Sequence, residues 1–106
     1  MSFRSSMYTE DGVVTIRLVG EVDSRSAPVF NQLVIDAAAQ SPRRLVVLVD
    51  ELAYLSSAGL RCLVFAHQKL GRAVPIVLVG TRPEVAETIR LTGFDRSIVM
   101  QETVAP

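Results

Sequence analysis

Two adjacent hydroxyls interrupt this chain where its apolar character changes. Residues 54–60 read YLSSAGL, between an aliphatic run, LVVLV at 45–49, and a second apolar stretch, LRCLVFAHQKL at 60–70. Small hydroxylated residues where a strand hands over to a helix can cap the helix, act as a nucleophile, or offer an oxygen for modification. A nucleophile needs a base. The hydrolase elbow G-x-S-x-G would require Gly at 55, where this chain has Leu55. The one histidine, His67, lies ten residues along the same helix, about 15 Å of rise from Ser57 and on its buried side. Capping and modification therefore remain. A helix N-terminus carries free N–H groups and a partial positive charge, so it accepts a hydroxyl cap and, better, an anion such as phosphate. Ala58 and Gly59 are small enough to leave the approach to Ser57 open.

Other chemistry finds little support. There is no G-x-G-x-x-G after a strand, no P-loop lysine motif, and no Cys or His pair at metal-ligand spacing, so no cofactor or metal is expected. His67 reads as a core histidine and Cys62 as a small core residue. The carboxylates are scattered. Asp23 and Asp50 are each expected to end a strand, which would bring both toward the Ser57 edge.

A helical wheel at about 100° per residue divides the segment after Ser56 into two faces. Leu60, Leu63, His67 and Leu70 should face the sheet. Ser57, Arg61, Phe65, Gln68 and Arg72 fall within a narrow opposite arc, which predicts an exposed aromatic two turns below Ser57 among polar groups. Phe65 would there either fold against a neighbouring loop or helix, or contact a partner. Ser57, Arg61, Phe65 and Gln68 are accordingly the expected docking face.

The strands and helices that hold this junction in place follow from periodicity. SMYTEDGVVTIRLVG predicts a hairpin, with a turn at Asp11-Gly12 and a second strand in which Val14, Ile16 and Leu18 alternate with Thr15 and Arg17. Phe30, Leu33, Val34 and Ala37 recur at i, i+3, i+4 and i+7, with Pro28 near the start, predicting a helix over 27–39. Ser41-Pro42 ends it. Residues 43–50 read as a strand buried on both faces, 57–70 as a helix, and 73–80 as a second buried strand. Thr81 and Glu84 form a T-x-x-E capping box for a helix through Leu91 or Thr92, Gly93 stops it, and SIVM at 97–100 supplies a last short strand. Aliphatic strands alternating with helices imply an α/β fold with parallel pairing through right-handed crossovers.

Composition bounds the function. The 106 residues, 49% hydrophobic and 21% charged, suit one domain spanning 1–106 with a single core. Eleven basic and eleven acidic side chains cancel, so the field that would draw nucleic acid or an anionic membrane is missing. A lone cysteine, no apolar run near the roughly 20 residues needed to span a bilayer, and an N-terminus without an apolar signal core give a cytoplasmic expectation.

Three segments in order, GEVDSRSAPVF at 20–30, LVVLVDELAYLSSAGLRCLV and VPIVLVGTRPEVAETIRLTGFD, resemble the STAS domains of bacterial anti-sigma factor antagonists. LVVLVDELAYLSSAGLRCLV resembles their signature: an aliphatic strand ending in Asp, a hydrophobic link, a small polar doublet, Gly and a helix. GEVDSRSAPVF at 20–30 resembles their Gly-x-x-Asp element before the first helix, and VPIVLVGTRPEVAETIRLTGFD their last strand and helix. The resemblance implies a mixed, mostly parallel sheet with helices largely on one face, and a regulatory protein that is not an enzyme. It implies binding to an anti-sigma factor that is a serine kinase of the GHKL type, with phosphorylation at Ser57 switching the protein off and a phosphatase restoring it. Asp23 matches the family's acidic residue near the phosphorylation site. Where many members carry Asp-Ser-Ser-Gly, this chain carries Ser56-Ser57-Ala58-Gly59, which leaves Ser56 as an alternative acceptor. The implied partner surface is Asp23, Ser56, Ser57, Ala58, Gly59, Arg61, Phe65 and Gln68. The alternative reading is a STAS module that is not phosphorylated and serves as an accessory or scaffold in a transport or signalling assembly.

Overall fold

A computed structural model of the protein describes residues 2–102. Five strands form one sheet in the order β1 (Arg4–Glu10), β2 (Val13–Val22), β3 (Arg44–Leu55), β4 (Ile76–Val79), β5 (Val99–Gln101). The β1–β2 pair is the antiparallel hairpin, turning through Asp11 and Gly12 at positive φ, and every other pair is parallel. Between the parallel strands lie α1 (Ala27–Ala39), α2 (Ser57–Leu70) and α3 (Pro83–Thr92), the last followed by a 3-10 turn over Phe94–Arg96. This is the mixed, mostly parallel architecture that the resemblance implied.

Alternation along β2 buries Val14, Ile16 and Leu18 on the helix side, together with Leu45, Val47 and Val49 of β3 and Ile76 and Leu78 of β4. Against them pack Phe30 and Val34 of α1, Leu60 and Leu63 of α2, and Val85 and Ile89 of α3, forming one apolar core. Full burial of a Leu, Ile or Phe side chain contributes about 1.5–3 kcal/mol, so this one-sided core dominates stability. No helix among the described residues is long and apolar enough to cross a membrane.

Four expectations need correction. First, β3 does not end at Asp50. It runs to Leu55 and pairs Leu52 with Gly20 and Leu55 with Val22, past a register shift. Asp50 is therefore mid-strand, and its carboxylate meets Arg17 Nη1 at 3.3 Å, away from the junction. Second, β4 is shorter than 73–80. Third, the T-x-x-E box does not cap α3: Arg82 is the N-cap residue, Pro83 occupies the first turn, and Thr81 Oγ1 is buried with no hydrogen-bond partner among the described residues. Proline's fixed φ suits that first position and moves the helix start past Thr81. Gly93, at φ 78°, ends α3 as expected. Fourth, the last strand begins at Val99 and not at Ser97, because Ser97 caps the 3-10 turn, its N–H donating to Phe94 O at 2.9 Å.

Candidate functional site

The two serines have different jobs. Ser56 is extended, and its hydroxyl accepts a hydrogen bond from the Gly59 N–H at 3.2 Å, so it caps α2. Its own N–H donates to Val22 O at 2.8 Å, which pins the cap to the end of β2. Ser57 is the first helical residue and is exposed, and among the described residues its hydroxyl has no hydrogen-bond partner. One hydroxyl thus satisfies the helix, and the other faces water at the positive end of the helix dipole.

Gly59 is buried, and its role is packing rather than access to Ser57. A Cβ there would lie 2.6 Å from Leu55 Cδ1 and 2.7 Å from Val22 Cγ1. Only a residue without a side chain lets the first turn of α2 settle onto the ends of β2 and β3. Ala58 is half-buried beside it.

Asp23 follows Val22 and so opens the loop next to the Ser56 cap. Its Oδ1 accepts from the backbone N–H groups of Arg25 (2.9 Å) and Ser26 (3.0 Å) and from the Ser26 hydroxyl (3.1 Å). The Ser26 backbone N–H first, and that of Arg25 next, hold the Asp23 carboxyl below the usual carboxylate range. The half-exposed carboxylate is therefore a fixed negative charge that orders the entry to α1.

Along α2 the buried arc is wider than a sheet contact alone would need, because the helix also packs on α1. Gly59, Leu60, Cys62, Leu63 and Ala66 are buried, and the Cys62 thiol donates to Ala27 O of α1 at 3.4 Å. Burial pushes that thiol's pKa up, as befits a core cysteine. Neighbours on both flanks of α2 decide two expectations. Phe65 is half-buried against the core instead of standing exposed, and His67 is half-buried at the helix edge, its ring edge-on to Phe94 with centroids 6.0 Å apart. Arg61 and Gln68 are exposed, as the wheel predicted.

Sequence reasoning missed the other side of Ser57. Ser57, Leu60, Arg61 and Val64 form one wall of an open groove of about 480 Å³, and Thr92, Gly93, Phe94 and Ser97 form the opposite wall. Its floor is apolar, and its lining carries a single charge, Arg61, one turn from Ser57. The Gly93-Phe94 turn was visible as a helix stop, but nothing local to it says that it folds back beside α2. No group of three or more His, Cys, Asp or Glu is placed to hold a metal ion among the described residues.

Residues 4–106 match the family described as the STAS domain. The anti-sigma-F factor antagonist RsfB of Mycobacterium tuberculosis is 26% identical over 103 residues, covering 97% of this chain and 84% of that protein. BtrV of Bordetella bronchiseptica is 35% identical over 88 residues, covering 79% of this chain and 73% of BtrV. The crystal structure of an anti-sigma factor antagonist from Mycobacterium paratuberculosis superposes with a TM-score of 0.88 at 30% identity, covering 97% of this chain and 88% of that one.

Proposed function

The chain belongs to the STAS domain family, and on that premise we propose that it is an anti-sigma factor antagonist, acting by binding and switched by phosphorylation of Ser57. The observation that carries this reading is the division of labour between the serines. Ser56 meets the structural need for a cap, so Ser57 is left exposed and unbonded beside Arg61 and an apolar groove. Engagement of its hydroxyl makes Ser56 the poorer acceptor.

The proposed partner is an anti-sigma factor that is itself a serine kinase of the GHKL type, with a phosphatase to reverse the reaction. In the unmodified state the neutral Ser57 hydroxyl, Arg61, Gln68 and the mouth of the groove dock on that partner and release its sigma factor, which changes transcription. Asp23 lies at the rim of the same surface, while Gly59 and Phe65 support it from beneath. Phosphorylation adds about −1.5 to −2 charges and three acceptor oxygens at the centre of the contact. The partner would then have to desolvate that charge. The fold keeps its shape, because a helix N-terminus favours an anion by about 0.3–1 kcal/mol and Arg61, four residues on, pairs with it. The test is calorimetric titration of wild type and Ser57→Asp into the cognate anti-sigma factor. The reading requires at least tenfold weaker binding, about 1.4 kcal/mol, for the variant; equal affinities would reject it.

A further inference from the structure

All three helices lie on one side of the sheet, and no element among the described residues covers the other. On that side the strand pairing sets side chains in four rows. The first is Glu10, Val13 and Arg44; the second is Tyr8, Thr15, Val46, Val77 and Val99. The third runs Ser6, Arg17, Leu48, Val79 and Gln101, and the fourth Arg4, Val19 and Glu51. The two middle rows are apolar at their centre, where Val46, Leu48 and Val77 are half-buried only by their in-plane neighbours, and Tyr8 and Val99 are 58% and 51% exposed. Charge is confined to the outer rows, apart from Arg17, which is held at 3.2 Å by Glu51. An apolar centre inside a charged rim is the anatomy of a protein interface.

We propose that this uncovered sheet face is the interface of a two-fold symmetric homodimer, in which the Glu10–Arg44 row of one copy faces the Arg4–Glu51 row of the other. The charge pattern selects both the occupant and the symmetry. A two-fold axis lying in the interface, across the strands and between the Val46 and Leu48 rows, sets Glu10 opposite Arg4 of the second copy. It also sets Arg44 opposite Glu51 and its neighbour Asp50, Val13 opposite Val19, Val46 opposite Leu48, and Val77 opposite Val79. Both ion pairs occur twice by symmetry. Arg4, Glu10 and Arg44 have no ion pair or side-chain hydrogen bond of their own among the described residues, so each is free to make one. An axis along β3 would instead set Arg44 on Arg44 and Glu51 on Glu51, where like charges repel.

Size sets the strength. Five strands about 4.8 Å apart and rows about 6.7 Å apart give on the order of 400 Å² per copy, roughly half the ~800 Å² per partner of a standard interface. The dimer is therefore weak and concentration-dependent. Because Ser57 lies at the head of a helix on the covered side, dimerisation leaves it open and presents two copies on one particle, a bivalent surface. The inference does not depend on Ser57 being phosphorylated.

Sedimentation equilibrium at low ionic strength, from about 10 μM to about 1 mM protein, tests it. The weight-average mass should rise from 11.6 kDa toward twice that value. Val46→Asp, on the solvent side of a strand, should raise the dissociation constant at least about tenfold while leaving the circular dichroism spectrum unchanged. Arg4→Glu and Glu10→Arg should each weaken the dimer about threefold or more, and the double variant should restore it. A monomer mass throughout the range would overturn the proposal. So would a dimer that survives Val46→Asp, or a double variant no better than either single one.

Discussion

Replacing Gly59 by alanine should destabilise the protein, although the same change in an open helix is favourable. Alanine exceeds glycine in helix propensity by about 0.8–1 kcal/mol, and Gly59 has no positive φ that alanine would strain. Against that gain, the new methyl would stand 2.6 Å from Leu55 Cδ1, 2.7 Å from Val22 Cγ1 and 3.2 Å from Val22 Cβ. Leu55 can swing its terminal methyl away. Val22 cannot, because its branched carbon sits on a paired strand and Val22 O also receives the Ser56 N–H. Overpacking of this kind costs about 1–3 kcal/mol, in the upper part of that range where the neighbour cannot move, so about 2–3 kcal/mol less the propensity gain of about 1 kcal/mol leaves a net loss of about 1–2 kcal/mol. With a urea slope of about 2 kcal/mol/M, the middle of the usual range, the unfolding midpoint should fall by roughly 0.5–1 M. Adding Val22→Ala should give a double variant more stable than the sum of the two single losses, since the cavity accepts the methyl. A midpoint for Gly59→Ala equal to or above wild type would refute the packing role.

Two further outcomes follow from the hydrogen bonds around the junction. Ser56→Ala should lower stability by about 1 kcal/mol in urea unfolding, the usual cost of a lost N-cap, because Gly59 N–H loses its side-chain acceptor; no loss would mean the cap is not formed in solution. Asp23 has a folded-state pKa below the unfolded one, so its stabilising contribution is complete above the ordinary carboxylate range and disappears as pH falls through the lowered folded value. The melting temperatures of wild type and Asp23→Asn should therefore differ most near neutral pH and converge in acid; a gap that does not narrow in acid would contradict that sign.

Much of this was legible in the sequence because local signals and tertiary packing agreed. Helices α1 and α2 have the bounds that periodicity predicts, since Pro28 and the serine pair mark their starts and the buried stripes match the core. The end of β3 was illegible because Asp50 and Glu51 break the continuous aliphatic run LVVLV before ELAYL, and the pairing of that end with β2 passes through a bulge. Thr81 misled because Pro83 competes for the first helical turn. Phe65 and His67 were misplaced for one reason: a wheel registers one buried stripe, whereas α2 has neighbours on both flanks, α1 on one and Phe94 on the other. The groove beside Ser57 joins residues about thirty positions apart, so no local pattern could announce it.

Negative charge on the free hydroxyl of Ser57 should abolish docking and leave the fold intact. The most direct measurement compares unmodified protein with protein stoichiometrically phosphorylated at Ser57, recording affinity for the anti-sigma factor and melting temperature on the same samples. The dissociation constant should rise at least about tenfold, with a melting temperature shifted by no more than a few degrees. Unchanged affinity, or weaker binding accompanied by a collapse in melting temperature, would contradict it.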